Sequence, residues 1–255
     1  MVSACKKKPV VFKTAEDCVS SPDMQPTRRH TAWRSGGSTA AMLAVLLWLG
    51  AAAAATPRVK EVHRYRETTG QSVKEIQWQL DKTTPFILVY ASPSQRHVTT
   101  TDPDYATRRW TVNSADGRTD LCAERDGETI VISGRFEGAP IKKVLKIDDR
   151  PWYQATSLSM RGLIASDDSE RTFWTIRSDT LTAHKIRAIK KGVETDPSTA
   201  DGGRQLLHIR LTLPGLLAPF WQSDYWFTLP DGTFYRFEGP SGPPGAPTTT
   251  VTRID

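Results

Sequence analysis

Tyr225-Trp226-Phe227-Thr228-Leu229-Pro230-Asp231-Gly232-Thr233-Phe234-Tyr235-Arg236-Phe237 reads as two aromatic strands joined by a turn. Pro230 presets φ for the first turn position and Gly232 accepts the left-handed conformation that closes a three-residue hairpin loop. That loop sets Leu229 opposite Thr233, Phe227 opposite Tyr235 and Tyr225 opposite Phe237, which gives one face five large apolar or aromatic side chains. On the other face Trp226 lies opposite Arg236, a pairing suited to a cation-π contact worth about 0.5–1 kcal/mol when exposed. A two-stranded ribbon with this much aromatic surface is not stable alone. It requires a sheet to join and a layer to pack on.

Working outward, the preceding sequence supplies that sheet. Residues 204–213 alternate Leu207, Ile209, Leu211 and Leu213 with Leu206, His208, Arg210 and Thr212, the period of two that a half-buried strand requires. Further strands are predicted over 59–66, 74–80, 86–90, 107–113, 119–125, 128–133, 141–147, 172–176 and 183–190. The weak alternation of 59–66 suits an edge, whereas the apolar run FILVY at 86–90 suits a strand buried on both sides. Asp126-Gly127 is a two-residue turn that sets Ala123 opposite Ile130 and Leu121 opposite Ile132. The pattern breaks once, over 151–165. There Asp149 is placed to cap a short helix, with Pro151 in the first turn and Trp152, Leu158, Met160 and Leu163 forming a stripe. The polar stretch 194–203 reads as a loop. GPSGPPGAP at 239–247 reads as a stiff crossover that delivers a last edge strand over 248–253. The fold class that follows is all-β and mainly antiparallel: a curved sheet or half-open barrel of ten to twelve strands with one short helix.

Composition places this sheet behind a leader. The chain has 255 residues, 38% hydrophobic and 24% charged, with a formal net charge of +6. Residues 1–55 carry seven Lys/Arg against three Asp/Glu, so most of the excess belongs to them and the remainder shows no basic stripe for nucleic acid. Within that segment AAMLAVLLWLGAAAAA, residues 40–55, follows Arg28, Arg29, His30 and Arg34 and ends in small residues, the layout of a signal peptide cleaved after Ala55. Sixteen residues, half of them Ala, fall short of the about 20 needed to span a bilayer, so no membrane span is expected after cleavage. A start at Met24 gives the more ordinary length, and no twin-arginine signal follows Arg28-Arg29. The expected organisation is a leader over 1–55 and a single β-sheet domain over 56–255. The expected destination is the periplasm, through the general secretory route.

No catalytic constellation is legible. His63, His97, His184 and His208 have no second ligand at metal spacing, no nucleophile or phosphate-loop motif occurs, and no cofactor is implied. Cys122 has no partner within the domain and reads as a small buried hydrophobe. Asp148-Asp149 and Asp167-Asp168 read as turn caps, and His208 as a solvated side chain on the polar side of its strand. What stands out is an aromatic surplus. Trp174, Trp221, Tyr225, Phe227 and Tyr235 are the candidate lining of a concavity that holds a lipid or acyl chain.

Phe173-Trp174-Thr175-Ile176, the segment 184–194, Phe220-Trp221, Tyr225-Trp226-Phe227 and 239–247 together resemble a family of uncharacterised exported bacterial proteins. These are similar in turn to the periplasmic lipoprotein-localisation carriers, and the resemblance covers about residues 149–253. It implies a half-barrel fold and carriage of an apolar ligand. No arginine matches a carrier's ligand-gating position, and the motifs are structural aromatics and turns. The expectation is therefore a non-enzymatic protein that binds or carries a hydrophobic ligand. An envelope scaffold or protein-interaction module is the alternative, and a hydrolase comes third.

Overall fold

The structure is a computed structural model that describes residues 60–196, 203–240, 242 and 245–255. The signal peptide, its cleavage site and the start at Met24 lie outside the described residues. The chain forms two antiparallel meanders. The first runs β1 (Lys60–Thr69), β2 (Ser72–Asp81), β3 (Phe86–Ala91), β4 (Gln95–Thr101), β5 (Thr107–Ser114), β6 (Asp120–Asp126), β7 (Thr129–Phe136) and β8 (Ala139–Lys146). The helix α1 (Thr156–Ile164) leads to the second: β9 (Glu170–Ile176), β10 (Ala183–Asp196), β11 (Arg204–Thr212), β12 (Gln222–Thr228), β13 (Thr233–Pro240) and β14 (Thr248–Arg253). A 3-10 turn over Gly215–Phe220 separates β11 from β12.

All fourteen strands belong to one sheet, in the order β8-β7-β6-β5-β4-β3-β2-β1-β14-β13-β12-β11-β10-β9. The first and last strands meet at its centre, where Tyr65 pairs with Arg253 and Thr69 with Thr249. Both are therefore central strands and not the edges that their sequences suggest. Their charges are tolerated because one face of the sheet is solvated, which also leaves only Leu88 of the FILVY run buried. The true edges, β8 and β9, do not pair, so the sheet is not closed into a barrel. Pro140, Lys142 and Lys146 protect the edge at β8.

The other edge is covered by a strap. Trp174 on β9 donates its N–H to the carbonyl of Pro151 (2.8 Å) and accepts from the N–H of Tyr153 (2.8 Å), a short parallel bridge. The Gln154 amide extends it, accepting from the Ile176 N–H (3.0 Å) and donating to the Ile176 carbonyl (2.9 Å). The same strap joins β5, since the Thr107 N–H donates to the Trp152 carbonyl (2.7 Å). This use of Pro151 and Trp152 is why the helix begins later than the sequence suggests, at Thr156 behind Ala155, with no side-chain cap.

Two main clusters form the core. One gathers Phe173, Ile186, Ile209, Phe227 and Phe234 with Tyr65 and the helix residues Met160 and Leu163. The other packs Trp110, Ala123, Ile130 and Ile132 of β5–β7 against Trp152, Ile176 and Leu181. Phe173 and Ile176 thus serve different layers. The sheet rolls far enough that one side of β9 faces the first cluster and the other side meets β5–β8. Leu158 joins Leu80 and Leu88 in a third, smaller cluster. Each large side chain so buried contributes about 1.5–3 kcal/mol.

Two turns differ in register from their sequence reading. The β6–β7 loop is Gly127-Glu128, because Asp126 pairs with Thr129 and Ala123 with Ile132. A one-residue shift of the loop changes each pairing by two, so all four core residues keep their face and are buried. In the β12–β13 hairpin Tyr225 faces Phe237 and Trp226 faces Arg236 as read, but Phe227 faces Phe234 and Thr228 faces Thr233. Tyr235 is the extra residue of a β-bulge. Gly232, at φ +65°, closes the four-residue loop by donating its N–H to the Thr228 carbonyl (2.9 Å). Asp231 accepts hydrogen bonds from Thr228 Oγ1 (2.7 Å) and Thr233 Oγ1 inside it.

Candidate functional site

Between the inner face of the sheet and the start of α1 lies a cavity of about 540 Å³. That volume is within the range of about 300–1,000 Å³ typical of small-molecule sites. Strand alternation makes its floor. Ile76 and Trp78 come from β2, Leu211 from β11, Tyr225 from β12, and Phe234 and Phe237 from β13. Gln154, Thr156 and Ser157 cover it from above, and Thr175, His184 and Ile186 wall it on the β9–β10 side. Trp221 stands at the rim, where its Nε1–H donates to the Gly242 carbonyl (2.9 Å) and ties down the chain after β13. Beside it Leu216, Leu217 and Phe220 are exposed on the 3-10 turn, Leu216 by 95%.

Of the five candidate lining residues, Trp221 and Tyr225 line this cavity. The other three lie elsewhere. Phe227 shares the inner face of β12 with Tyr225 but sits deeper, fully buried in the first cluster. Trp174 faces the second cluster; its Nε1–H donates to Asp148 Oδ1 (2.7 Å) and Lys185 lies 5.0 Å from its ring centre. The bulge turns Tyr235 outward, where its hydroxyl donates to Asp196 (2.6 Å) beneath the guanidinium of Arg204. In its place Phe234 turns inward and stacks on Trp78 with ring centroids 5.4 Å apart. Trp78 falls within the strand predicted over 74–80; the inward turn of Phe234 was not legible, because nothing in its own sequence marks the bulge.

The polar groups of the cavity divide into committed and uncommitted. Arg177 and Asp179 pair with each other, and the guanidinium holds the carboxyl below the usual carboxylate range. Glu67 pairs with Lys74 (2.8 Å). Burial, and then the nearby Arg177, push the His184 imidazole below its ordinary value. Burial raises the Tyr90 phenol to about 12 and raises that of Tyr225, which accepts a hydrogen bond from Thr156 Oγ1 (3.1 Å). Two buried groups have no hydrogen-bond partner: Trp78 Nε1 and Ser223 Oγ.

His184 Nε2 lies 2.9 Å from Thr182 Oγ1, but the carboxylate that would orient its ring, Asp179, is taken by Arg177. Among the described residues no group of three or more His, Cys, Asp or Glu side chains is arranged to hold a metal ion. On the outer face His208 is not the solvated side chain expected. It bonds to Asp224 (2.6 Å), approaches Glu194 (3.2 Å) and stacks on Trp226. Cys122 is buried as expected, yet the Arg109 Nε lies 3.3 Å from its sulfur. Sequence neighbours could not reveal that cation, because it comes from the paired strand. Asp148 accepts from Trp174, Lys185 and Arg150 at once; burial would raise its carboxyl, but these donors hold it well below the usual range.

This geometry can be compared with known proteins. The fold is shared with a β-barrel-like protein of the domain of unknown function DUF1849 from Brucella abortus, with a TM-score of 0.51 at 10% identity. The match covers 78% of this chain and 97% of that one. The likeness is one of fold. A LolA superfamily protein from Nitrosomonas europaea matches at a TM-score of 0.24 and 11% identity over 78% of this chain and 86% of its own. Neither a protein-family model nor a curated protein matches the sequence. No helix among the described residues is long and apolar enough to cross a membrane.

Proposed function

We propose that this chain is an exported, periplasmic protein whose domain, residues 56–255, binds or carries a hydrophobic molecule such as a lipid or acyl chain. The observation that carries the reading is the cavity itself. Ligand sites are concave and mostly apolar, and here a half-open hollow of about 540 Å³ lies above aromatic and aliphatic side chains. The segment 40–55 supports export, with its apolar run behind Arg28, Arg29 and Arg34. Trp221 and Tyr225 are the proposed ligand contacts retained from the sequence, and Trp78, Phe234 and Phe237 join them.

Native mass spectrometry of protein purified from cells, followed by titration with a fluorescent fatty acid, tests this. A co-purifying small molecule or saturable fluorophore binding is the expected result. Val251→Trp, which fills the cavity from β14, should weaken binding at least about tenfold while leaving the circular dichroism spectrum unchanged. A uniformly ligand-free species that also fails to bind the fluorophore would sink the proposal.

A second reading, an envelope module that docks on another protein, draws on the exposed Leu216, Leu217 and Phe220. In-cell crosslinking from position 216 that captures one polypeptide reproducibly, with no ligand in the cavity, would favour it.

A further inference from the structure

At one end of the central strands the sheet carries a rim without charge. Four hairpin connections lie side by side there, because β4, β3, β2, β1, β14, β13, β12 and β11 are consecutive in the sheet. By sequence these connections are 92–94 (SPS), 70–71 (GQ), 241–247 (SGPPGAP) and 213–221 (LPGLLAPFW), and none contains Asp, Glu, Lys, Arg or His. In a chain that is 24% charged, that is segregation and not an average. Connections at the other end of these strands do carry charge: Lys82 between β2 and β3, Asp102 and Asp104 between β4 and β5, and Asp231 between β12 and β13. On the rim itself charge returns at the flanks, with Asp116 and Arg118 after β5 and the mutually paired Arg177 and Asp179 after β9.

Exposed apolar bulk gathers at the same rim. Leu216, Leu217 and Phe220 are 95%, 57% and 68% exposed, the exposed apolar side chains larger than valine among the described residues, and Val73 (59%) stands beside the 70–71 turn. Leu213, Trp221 and Gly242 of the rim also line the cavity, so its wall reaches this surface. A protein partner needs charges or directed hydrogen bonds to fix its register on a surface. What projects here is leucine and phenylalanine from a short turn, which a fluid bilayer receives without register, while every charge that would resist entry is absent from the four loops. We propose that this rim docks on a lipid bilayer with Leu216, Leu217 and Phe220 inserted, and that the cavity takes its ligand directly from the membrane surface. The second clause rests on the reading that the cavity holds a lipid or acyl chain; the docking rests on the rim alone.

Flotation of the exported protein, purified from the periplasm, with phosphatidylcholine vesicles tests this. The wild type should float, equally well with phosphatidylglycerol added and in about 0.5 M NaCl, because no charged group is in the contact. Leu216→Ser combined with Leu217→Ser should lower the partition coefficient about tenfold or more, and Gln71→Glu, two loops away, about threefold. Asp104→Asn, at the opposite end of the strands, should leave it unchanged. Fluorescent fatty-acid binding without vesicles should be equal in the wild type and the leucine variant, since neither leucine lines the cavity. No flotation, flotation that requires anionic lipid and is lost in salt, or flotation that survives the leucine variant would each overturn the docking; fatty-acid binding retained in those cases leaves the cavity reading standing. Crosslinking from position 216 to one polypeptide in place of lipid would overturn it in favour of a protein partner. A wild type that floats but binds no fatty acid upholds the docking and removes the cavity reading.

Discussion

A serine hydroxyl enclosed by Leu211 and Gly239 with no hydrogen-bond partner is a cost that the empty protein carries alone. Ser223→Ala removes the group and not merely its partner, so it should stabilise the ligand-free form, by about 1 kcal/mol in urea denaturation. A clear destabilisation would mean that the hydroxyl has a partner in solution. His97 sets a pH dependence at the same scale. Burial, with a smaller contribution from Lys74, lowers its imidazole to about 4 in the folded chain. The unfolded value is about 6.5. Between those values the unfolded chain binds the extra proton, so stability is complete above about pH 6.5 and falls progressively toward about pH 4. The ring packs against Tyr90 and Trp110 at 5.2 and 5.8 Å. His97→Phe should therefore keep the packing and flatten the stability profile across that window, as read by thermal melts from pH 7 to 4. An unchanged slope would show that another group governs it.

At its C-terminal end the helix is held to the sheet by Arg161, as Thr156 ties its first turn to Tyr225. Arg161, in its last turn and 11% exposed, donates to Glu61 on β1 (2.9 Å) and to the Gly232 carbonyl of the hairpin loop (3.3 Å). Arg161→Ala should cost about 1.5–3 kcal/mol, the range for hydrogen bonds to charged groups, and loosen α1 first in hydrogen exchange. Burial would raise the Glu61 carboxyl, but Lys82 and Arg161 outweigh it and hold it below its ordinary value. Its stabilising effect is therefore present above the unfolded value of about 4.3 and lost as pH falls through the folded one. Arg161→Ala should shrink that acid-side loss. At this scale most elements were legible, because alternation survives wherever one face is buried, as along β11 and β6–β7. What escaped was polar or set by a neighbour. Gln95–Thr101 was missed as a strand, since Thr99 and Thr101 are buried yet read as loop residues. Tyr235 and Phe234 exchange faces through a bulge. Trp174 faces inward against another layer because of how far the sheet rolls, which no single strand encodes.

At the scale of the molecule, the two meanders become one sheet where β14 lies between β13 and β1. Four of its six residues pair with both, as Val251 does with Phe237 on one side and Glu67 on the other. Loop-closure entropy makes this the slow and nonlocal event of folding, because it joins residues 180 to 188 positions apart while the other pairings among the described strands are between sequence neighbours. Removing residues 248–255 should consequently be far worse than the loss of six strand residues implies. It strips Val251 from the cavity floor and exposes unpaired edges on β1 and β13 in the middle of the sheet, where no lysine or proline pattern protects them. The truncated chain should lose its single cooperative unfolding transition and aggregate at concentrations where the full chain is soluble. A synthetic peptide of residues 248–255, added during refolding, should restore part of the transition, since extended segments add readily to an open sheet edge. A truncated chain that still unfolds cooperatively at the full-length midpoint would show that the strap at residues 151–154 and α1 hold the two halves together without this seam.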